Sequence, residues 1–253
     1  MSLADCLVVI AAGLAAGLVN AVIGSGSLIT FPTLVALGFA PITANVSNNI
    51  GLVPGSIGGA YGFRHELKGQ MARARTLAAG SASGAAVGAG LLLMLPAAVF
   101  DTVVPVLVLL ACVLMAFQPR LSRWVASRRP DSEHRVGAPV LALAFCTGIY
   151  GGYFGAAQGI ILLAVLSVLV PDTMVRSNAL KNVLAGTTNA VAAVIFALLA
   201  PVAWTAVALV ATGSTAGGIL GAKVGRRIPP LVLRLLVISL GLFVALRLTI
   251  LKP

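Results

Sequence analysis

The two halves of this sequence repeat one pattern of glycine and asparagine residues. Asn45 recurs as Asn178, which lies 133 positions later (178 − 45). The glycine-rich runs 80–89 and 213–222 are separated by the same distance (213 − 80). A duplicated unit in a strongly apolar chain is typical of membrane proteins built from two structural repeats around a central site. The duplication therefore predicts two similar halves that meet in the middle of the molecule.

The composition predicts that lipid surrounds most of the chain. Hydrophobic residues make up 59% and charged residues 9% of the 253 positions, whereas a soluble domain carries about 25% charged residues. Several apolar stretches reach the roughly 20 residues that a helix needs to cross a bilayer. We therefore expect an all-α, multi-pass integral protein of the inner (plasma) membrane, in contact with the lipid bilayer.

The basic residues predict membrane topology rather than binding of nucleic acid. The net charge is +11, but Lys and Arg fall between apolar spans with little aromatic interleaving. Because basic loops stay in the cytoplasm, three segments are predicted to be cytoplasmic: 64–75, 118–136 and 223–234. Three connections without Lys or Arg are predicted to face outward: 38–42, 96–101 and 200–202.

Equivalent connections of the two copies differ in charge, which predicts that the copies are inverted. The basic loop 64–75 corresponds to the uncharged turn 200–202, and the acidic turn 96–101 corresponds to the basic segment 223–234. Equivalent loops therefore lie on opposite faces, as in two inverted-topology repeats related by a pseudo-two-fold axis in the membrane plane. The predicted domains are a first membrane repeat, a basic linker and a second membrane repeat: 1–117, 118–136 and 137–253.

Each copy begins with an apolar region that glycines interrupt. Region 3–40 breaks at 24–27, and region 137–170 breaks at 155–159. Inversion requires an odd number of crossings, so we expect a broken, re-entrant helical hairpin followed by three transmembrane helices in each copy. The two arms would have roughly 14–18 residues, about 21–27 Å each. Two alternatives stay open: two thin full spans, or one kinked helix per copy, which would make the repeats parallel and place Lys223 outside.

The breaks are predicted to bind a small anion. Irregular backbone at membrane depth is tolerated only where protein buries it or where it lines a cavity. Helix N-termini at such places offer N–H donors and the positive end of a helix dipole. The candidate residues of the two breaks are Gly24, Ser25, Gly26, Ser27, Gly155, Gln158 and Gly159. The alternative interpretation is that these glycines only allow helices to pack closely.

Polar residues within apolar spans form a second set of candidates, because such groups are costly in a membrane unless they have partners. The set comprises Asn48, Asn49, Ser56, Asn178, Lys181, Asn182 and Asn189. Asn48 aligns with Lys181, and a Lys181 side chain that faced the cavity would bring a positive charge to an anionic substrate. The alternatives are that Asn45 and Asn178 cap their own helices and that Lys181 extends to the cytoplasmic interface. Asn20, before the first break, is a weaker candidate.

Glycines at intervals of four residues are predicted to be structural. They place small residues on one helix face, which allows close helix contact in membranes. The two sets are Gly80, Gly84 and Gly88, and Gly213, Gly217 and Gly221.

The sequence contains no enzyme signature. There is no HExxH motif, no His/Cys set with metal-ligand spacing and no pair of carboxylates within the spans. The six acidic residues lie at or beyond the predicted span ends, which disfavours a cationic substrate. We therefore expect no catalytic residues, no metal and no cofactor.

Four segments carry a resemblance to a known family: AGLVNAVIGSGSLITFPTL (16–34), ALGFAPITANVSNNIGLVPGSIGGAYGF (36–63), GIYGGYFGAAQGIILLAVL (148–166) and ATGSTAGGILGAKVGRRIPP (211–230). They resemble the sulfite exporter TauE/SafE family of membrane permeases over nearly the whole chain. The resemblance implies two related halves and export of small anions, notably sulfite and organosulfur compounds. The second copy departs from the family pattern at Leu163, where the first copy has Pro32.

The predicted function is a permease that exports a small anion, with sulfite or a sulfonate favoured, by alternating access between the two repeats. Two alternatives stay open. One is a passive anion channel, and the other is a non-transporting scaffold that binds a partner through the basic linker. Whether the chain forms a homo-oligomer is also open.

Overall fold

The computed structural model describes residues 1–126, 137–170 and 172–224, together with positions 235, 238, 239 and 242. These residues form nine α-helices and one 3-10 helix, without strands, so the prediction of an all-α integral membrane protein is confirmed. The helices are α1 (Leu3–Val22), α2 (Ser27–Ala36), α3 (Pro41–Gly62), α4 (Met71–Met94), α5 (Ala97–Ala126), α6 (Ala138–Tyr153), α7 (Gln158–Leu169), α8 (Met174–Leu199) and α9 (Trp204–Val224). Residues 127–136 of the predicted basic linker 118–136 and residues 225–234 of the predicted basic segment 223–234 lie outside the described residues, as does most of the predicted last span, 231–250.

Five helices are long and apolar enough to cross a membrane, namely α1, α4, α5, α8 and α9. Helix α3 also has 22 residues, but its three asparagines and several glycines lower its mean hydropathy. The arms of the broken regions are unequal. Helices α1 and α2 have 20 and 10 residues, and α6 and α7 have 16 and 12. At 1.5 Å per residue, α2 and α7 reach about 15 and 18 Å, too short to cross a 30 Å hydrocarbon core.

The two breaks begin with the same backbone geometry. Gly24 and Gly155 adopt φ values of 91° and 77°, a region that glycine enters at little cost. The Gly24 N–H bonds to the carbonyl of Val19 at 3.0 Å, and the Gly155 N–H bonds to the carbonyl of Tyr150 at 3.1 Å. Each hydrogen bond reaches back five residues and closes the end of the preceding helix.

The glycine faces pack each first helix against the other copy. A Cβ atom added at Gly88 would lie 2.0 Å from the carbonyl oxygen of Ile149 in α6. A Cβ atom at Gly217 would lie 2.0 Å from the carbonyl oxygen of Leu14 in α1. The predicted packing role of these glycines is confirmed, and the contacts are reciprocal: α4 packs on α6, and α9 packs on α1.

Polar contacts join the two copies at both ends of the helices. Asp172 pairs with Arg73 at 3.2 Å and with Arg176 at 2.7 Å. These contacts hold the start of α4 against the connection between α7 and α8. At another point, the N–H of Ala203 donates to Ser47 Oγ at 2.9 Å, which joins the turn before α9 to the first half of α3.

Candidate functional site

The two breaks contact each other directly. The N–H of Gly159 donates to the carbonyl of Gly24 at 2.9 Å. A Cβ atom at Gly24 would lie 2.5 Å from the Cα of Gly159, and a Cβ atom at Gly159 would lie 2.4 Å from the Cα of Gly24. Only glycine fits at either position, so the structure brings the two sequence-predicted breaks together.

The helix N-termini at the breaks already have protein partners for most of their N–H groups. The first amides of α7 bond to the carbonyls of Gly155, Gly24 and Ala157. In α2, the amides of Leu28 and Ile29 bond to carbonyls one turn before them. The N-termini therefore offer fewer free donors than the sequence pattern suggests, and side chains carry more of the site's capacity to bind a ligand.

Two polar side chains of the breaks face protein. Ser25 Oγ lies 3.8 Å from Met115 Sδ, and Gln158 Nε2 donates to Thr188 Oγ1 at 3.0 Å. Gly26 has a packing role, because a Cβ atom there would lie 2.3 Å from the carbonyl oxygen of Ala16.

The free carbonyls at the end of α1 receive donors from α8. Lys181 Nζ donates to the carbonyl of Asn20 at 3.0 Å. The amides of Asn178 and Asn182 both donate to the carbonyl of Ala21 at 3.2 Å. A helix leaves its last four carbonyls without intrahelical partners, and the break places those of α1 inside the protein. Three of the four candidates on α8 therefore converge on the first break.

Two of the sequence-based alternatives are wrong. Lys181 is fully buried, with 0% of its surface exposed, so it does not extend to the membrane interface. Asn178 does not cap α8, because Thr173 is the N-cap and its hydroxyl accepts the N–H of Arg176 at 3.3 Å. Asn45 likewise lies inside α3, where its amide donates to the carbonyl of Tyr153 at 3.1 Å. Both asparagines cap the broken helix of the other copy.

Equivalent residues of the two copies contact each other within the central cluster, which comprises the buried candidate side chains around the two breaks and their polar partners. Ser56 and Asn189 are 133 positions apart, and the Asn189 amide donates to Ser56 Oγ at 3.4 Å. The Asn20 amide donates to the same hydroxyl at 3.3 Å. Asn20, a weak candidate from the sequence, thus joins the central cluster.

Two buried threonines belong to the cluster and were not predicted. Thr30 donates to Asn48 Oδ1, and Thr188 accepts from Gln158; their exposed fractions are 1% and 0%. Their positions in apolar helices beside the breaks are the signal that could have identified them.

Asn49 is the candidate with the greatest unused capacity for hydrogen bonding. Its Oδ1 is buried without a partner, and within the described residues its amide makes no side-chain hydrogen bond. The Oδ1 atoms of Asn45 and Asn178 are also buried and unpartnered. These oxygens accept hydrogen bonds only, so they cannot donate to an anion.

Among the described residues, the central cluster contains one cation and no carboxylate. The described acidic residues, Asp5, Glu66, Asp101 and Asp172, lie at or near helix ends. No carboxylate pairs with Lys181 in this part of the chain. Groups of His, Cys, Asp or Glu that could hold a metal ion are also absent from it. The site is therefore suited to a small negatively charged ligand.

Comparisons with known proteins place the chain in a family. Residues 9–248 match the family model described as Sulfite exporter TauE/SafE. The Probable membrane transporter protein YfcA of Escherichia coli (strain K12) is 28% identical over 217 residues, which cover 84% of this chain and 76% of that protein. No solved structure matches the chain.

Two further relatives are similar over comparable lengths. The Probable membrane transporter protein of Haemophilus influenzae (strain ATCC 51907 / DSM 11121 / KW20 / Rd) is 25% identical over 213 residues, which cover 83% of this chain and 81% of that protein. The Probable membrane transporter protein ORF9 of Sinorhizobium sp is 24% identical over 214 residues, which cover 84% of this chain and 78% of that protein. The chain thus belongs to the sulfite exporter TauE/SafE family and is a membrane transporter rather than an enzyme.

Proposed function

We propose that this protein exports a small anion, with sulfite or an organic sulfonate as the favoured substrate, by alternating access at the contact between the two breaks. The observation that carries the proposal is Lys181. Its ammonium group is fully buried and donates to the carbonyl of Asn20, and no described carboxylate pairs with it. Leaving a buried charge unpaired costs several kcal/mol. A bound anion would supply the missing partner.

The family described as sulfite exporters supports the proposed substrate class, and the neutral amides among the buried candidate residues fit an oxyanion. Asn49 and Asn182 are equivalent positions, and both are 5% exposed. Amide N–H groups donate to oxygen atoms without adding charge. Such donors stabilise an oxyanion at lower cost than several fixed cations in a membrane interior would.

The polar contacts between the copies support the inverted arrangement. In inverted repeats, the loop before α4 and the connection after α7 lie on the same face, whereas in parallel repeats with one kinked helix per copy they lie on opposite faces. The ion pair between Arg73 and Asp172 joins these two connections. The contact between Ser47 and Ala203 joins the first half of α3 to the turn before α9, and this contact also favours the inverted order. The basic loop at 64–75 would then face the cytoplasm.

The glycine contacts indicate which parts would move together. Helices α1 and α9 approach at Gly17, where a Cβ atom would lie 2.2 Å from the carbonyl oxygen of Ser214. Helices α4 and α6 approach equally closely at Gly84, 2.1 Å from the carbonyl oxygen of Phe145. Because backbones this close cannot slide without separating, each rigid unit would contain helices from both copies, and the breaks would lie between the units.

The test is anion flux into proteoliposomes, screened with sulfite, thiosulfate and sulfonates. We expect saturable uptake with counterflow, and at least a tenfold loss of uptake in Lys181→Met. Lys68→Met is the matched control, because Lys68 is exposed and its loss should leave uptake unchanged.

Three outcomes would contradict the proposal. Equal uptake by Lys181→Met and the wild-type protein would remove the assigned role of the buried ammonium. A linear, voltage-driven current without counterflow would identify a passive channel. Absence of flux, combined with loss of function when residues 128–135 are deleted, would identify a scaffold.

A further inference from the structure

The two copies differ in charge at one pair of equivalent positions. Asn48 and Lys181 are 133 positions apart (181 − 48), and their exposed fractions are 1% and 0%. Asn48 accepts a hydrogen bond from Thr30, whereas Lys181 donates to the carbonyl of Asn20. The two copies thus place a neutral amide at one of these equivalent positions and a cation, Lys181, at the other.

The other charges of the site balance. At each break, the C-terminal, negative end of one helix dipole meets the N-terminal, positive end of the next. Asn49, Asn182 and Asn189 are neutral amides, and Ser56 is a neutral hydroxyl. The described ion cluster of Arg73, Asp172 and Arg176 holds two cations and one carboxylate, but it lies near helix starts and includes none of the candidate residues of the site. The described part of the site therefore has a net charge of about +1, which comes from Lys181.

We propose that the site selects monovalent anions and discriminates against divalent ones, with Lys181 as the residue that sets the accepted charge. This inference rests on the proposed function. A monovalent anion beside Lys181 leaves no net charge within the membrane. A divalent anion brings a second negative charge that no described cation pairs, and burial of an unpaired charge is unfavourable. Sulfite would accordingly be carried as hydrogen sulfite.

The first experiment compares probes that differ by one charge, in proteoliposomes with the wild-type protein. One pair is methanesulfonate and sulfate, which share a tetrahedral sulfur centre; the other is ethanesulfonate and sulfoacetate. We expect the monovalent member of each pair to be taken up at least ten times more efficiently, measured as the ratio of initial uptake rate to half-saturating concentration. Uptake of the divalent members within threefold of the monovalent ones would overturn the inference while leaving anion transport intact. Absence of saturable uptake for all four probes and for sulfite would overturn the proposed function itself.

The second experiment changes the number of cations. Asn48→Lys adds a second ammonium at the position equivalent to Lys181, and we expect the ratio of sulfate to methanesulfonate uptake to rise at least tenfold. Asn48→Gln is the control, because it keeps a neutral amide and should keep the wild-type ratio whatever its effect on rate. An unchanged ratio in an Asn48→Lys protein that still carries methanesulfonate would overturn the inference. If that variant fails to fold, the comparison of monovalent and divalent probes with the wild-type protein still tests the inference.

Discussion

At the residue scale, the site depends on side chains that complete the backbone of another helix. Asn178 and Asn182 bond to a carbonyl of α1 more than 150 positions earlier in the chain. Lys181 bonds to the adjacent carbonyl of Asn20. Because a broken helix within a membrane has no water to satisfy its last carbonyls, these donors are part of the fold as well as part of the site. Residues with such a double role are expected to affect stability and transport together.

The contact between the breaks can be tested with two glycine substitutions that separate the effect of backbone strain from the effect of steric overlap between the breaks. Gly24→Ala introduces a methyl group 2.5 Å from the Cα of Gly159 at a φ of 91°. Gly38→Ala introduces one at a φ of 90° with nothing within 4 Å. Both substitutions incur about 1–3 kcal/mol of backbone strain, but Gly24→Ala adds about 1–3 kcal/mol of overpacking. We expect Gly24→Ala to lower the thermal unfolding temperature in detergent clearly more than Gly38→Ala does, and equal shifts would show that the breaks do not touch.

At the element scale, the helices pack through glycine faces that join the two copies. The first helix of each copy lies against the glycine-bearing helix of the other, as the close approaches of α1 to α9 and of α4 to α6 show. Within a membrane there is no hydrophobic drive for helices to associate, so close van der Waals contact supplies much of the stability. A spacing of four residues in the sequence predicts which face packs, but it does not predict the partner helix.

A matched pair of substitutions in α4 tests this packing. A Cβ atom at Gly88 would meet the carbonyl oxygen of Ile149 at 2.0 Å, whereas nothing lies within 4 Å of a Cβ atom at Gly90. We expect Gly88→Leu to separate α4 from α6 and to remove most of the folded, monodisperse protein on size-exclusion chromatography. Gly90→Leu should behave like the wild-type protein, since its side chain enters open space. Similar profiles for the two variants would contradict the packing.

At the scale of the whole molecule, the two copies meet where equivalent residues touch. Ser56 and Asn189 occupy the same position in their copies and lie 3.4 Å apart. The breaks are joined close by through Gly24 and Gly159. This arrangement places both interrupted helices and the buried Lys181 around one centre, which is the structural basis of the proposed alternating access.

Labelling of single cysteines tests the inverted arrangement, in a background with the three native cysteines replaced. The introduced changes are Lys68→Cys, Thr173→Cys and Pro201→Cys, all at exposed positions. With an impermeant maleimide on intact cells, we expect Pro201→Cys to be labelled and the other two to be labelled only after permeabilisation. Labelling of Lys68→Cys and Thr173→Cys from opposite faces would indicate parallel repeats.

The sequence alone determined that the chain is an apolar helical protein, where its helices break, and which polar residues lie inside the helices. These properties follow from composition and from spacing along the chain. The tertiary structure decided the partners: Asn178 caps α1 instead of its own helix, and Lys181 is buried beside Asn20 instead of reaching the interface. The break of one copy also closes on the break of the other. Such contacts join residues more than 130 positions apart, and a periodic pattern contains no information on which distant backbone atom a side chain will reach.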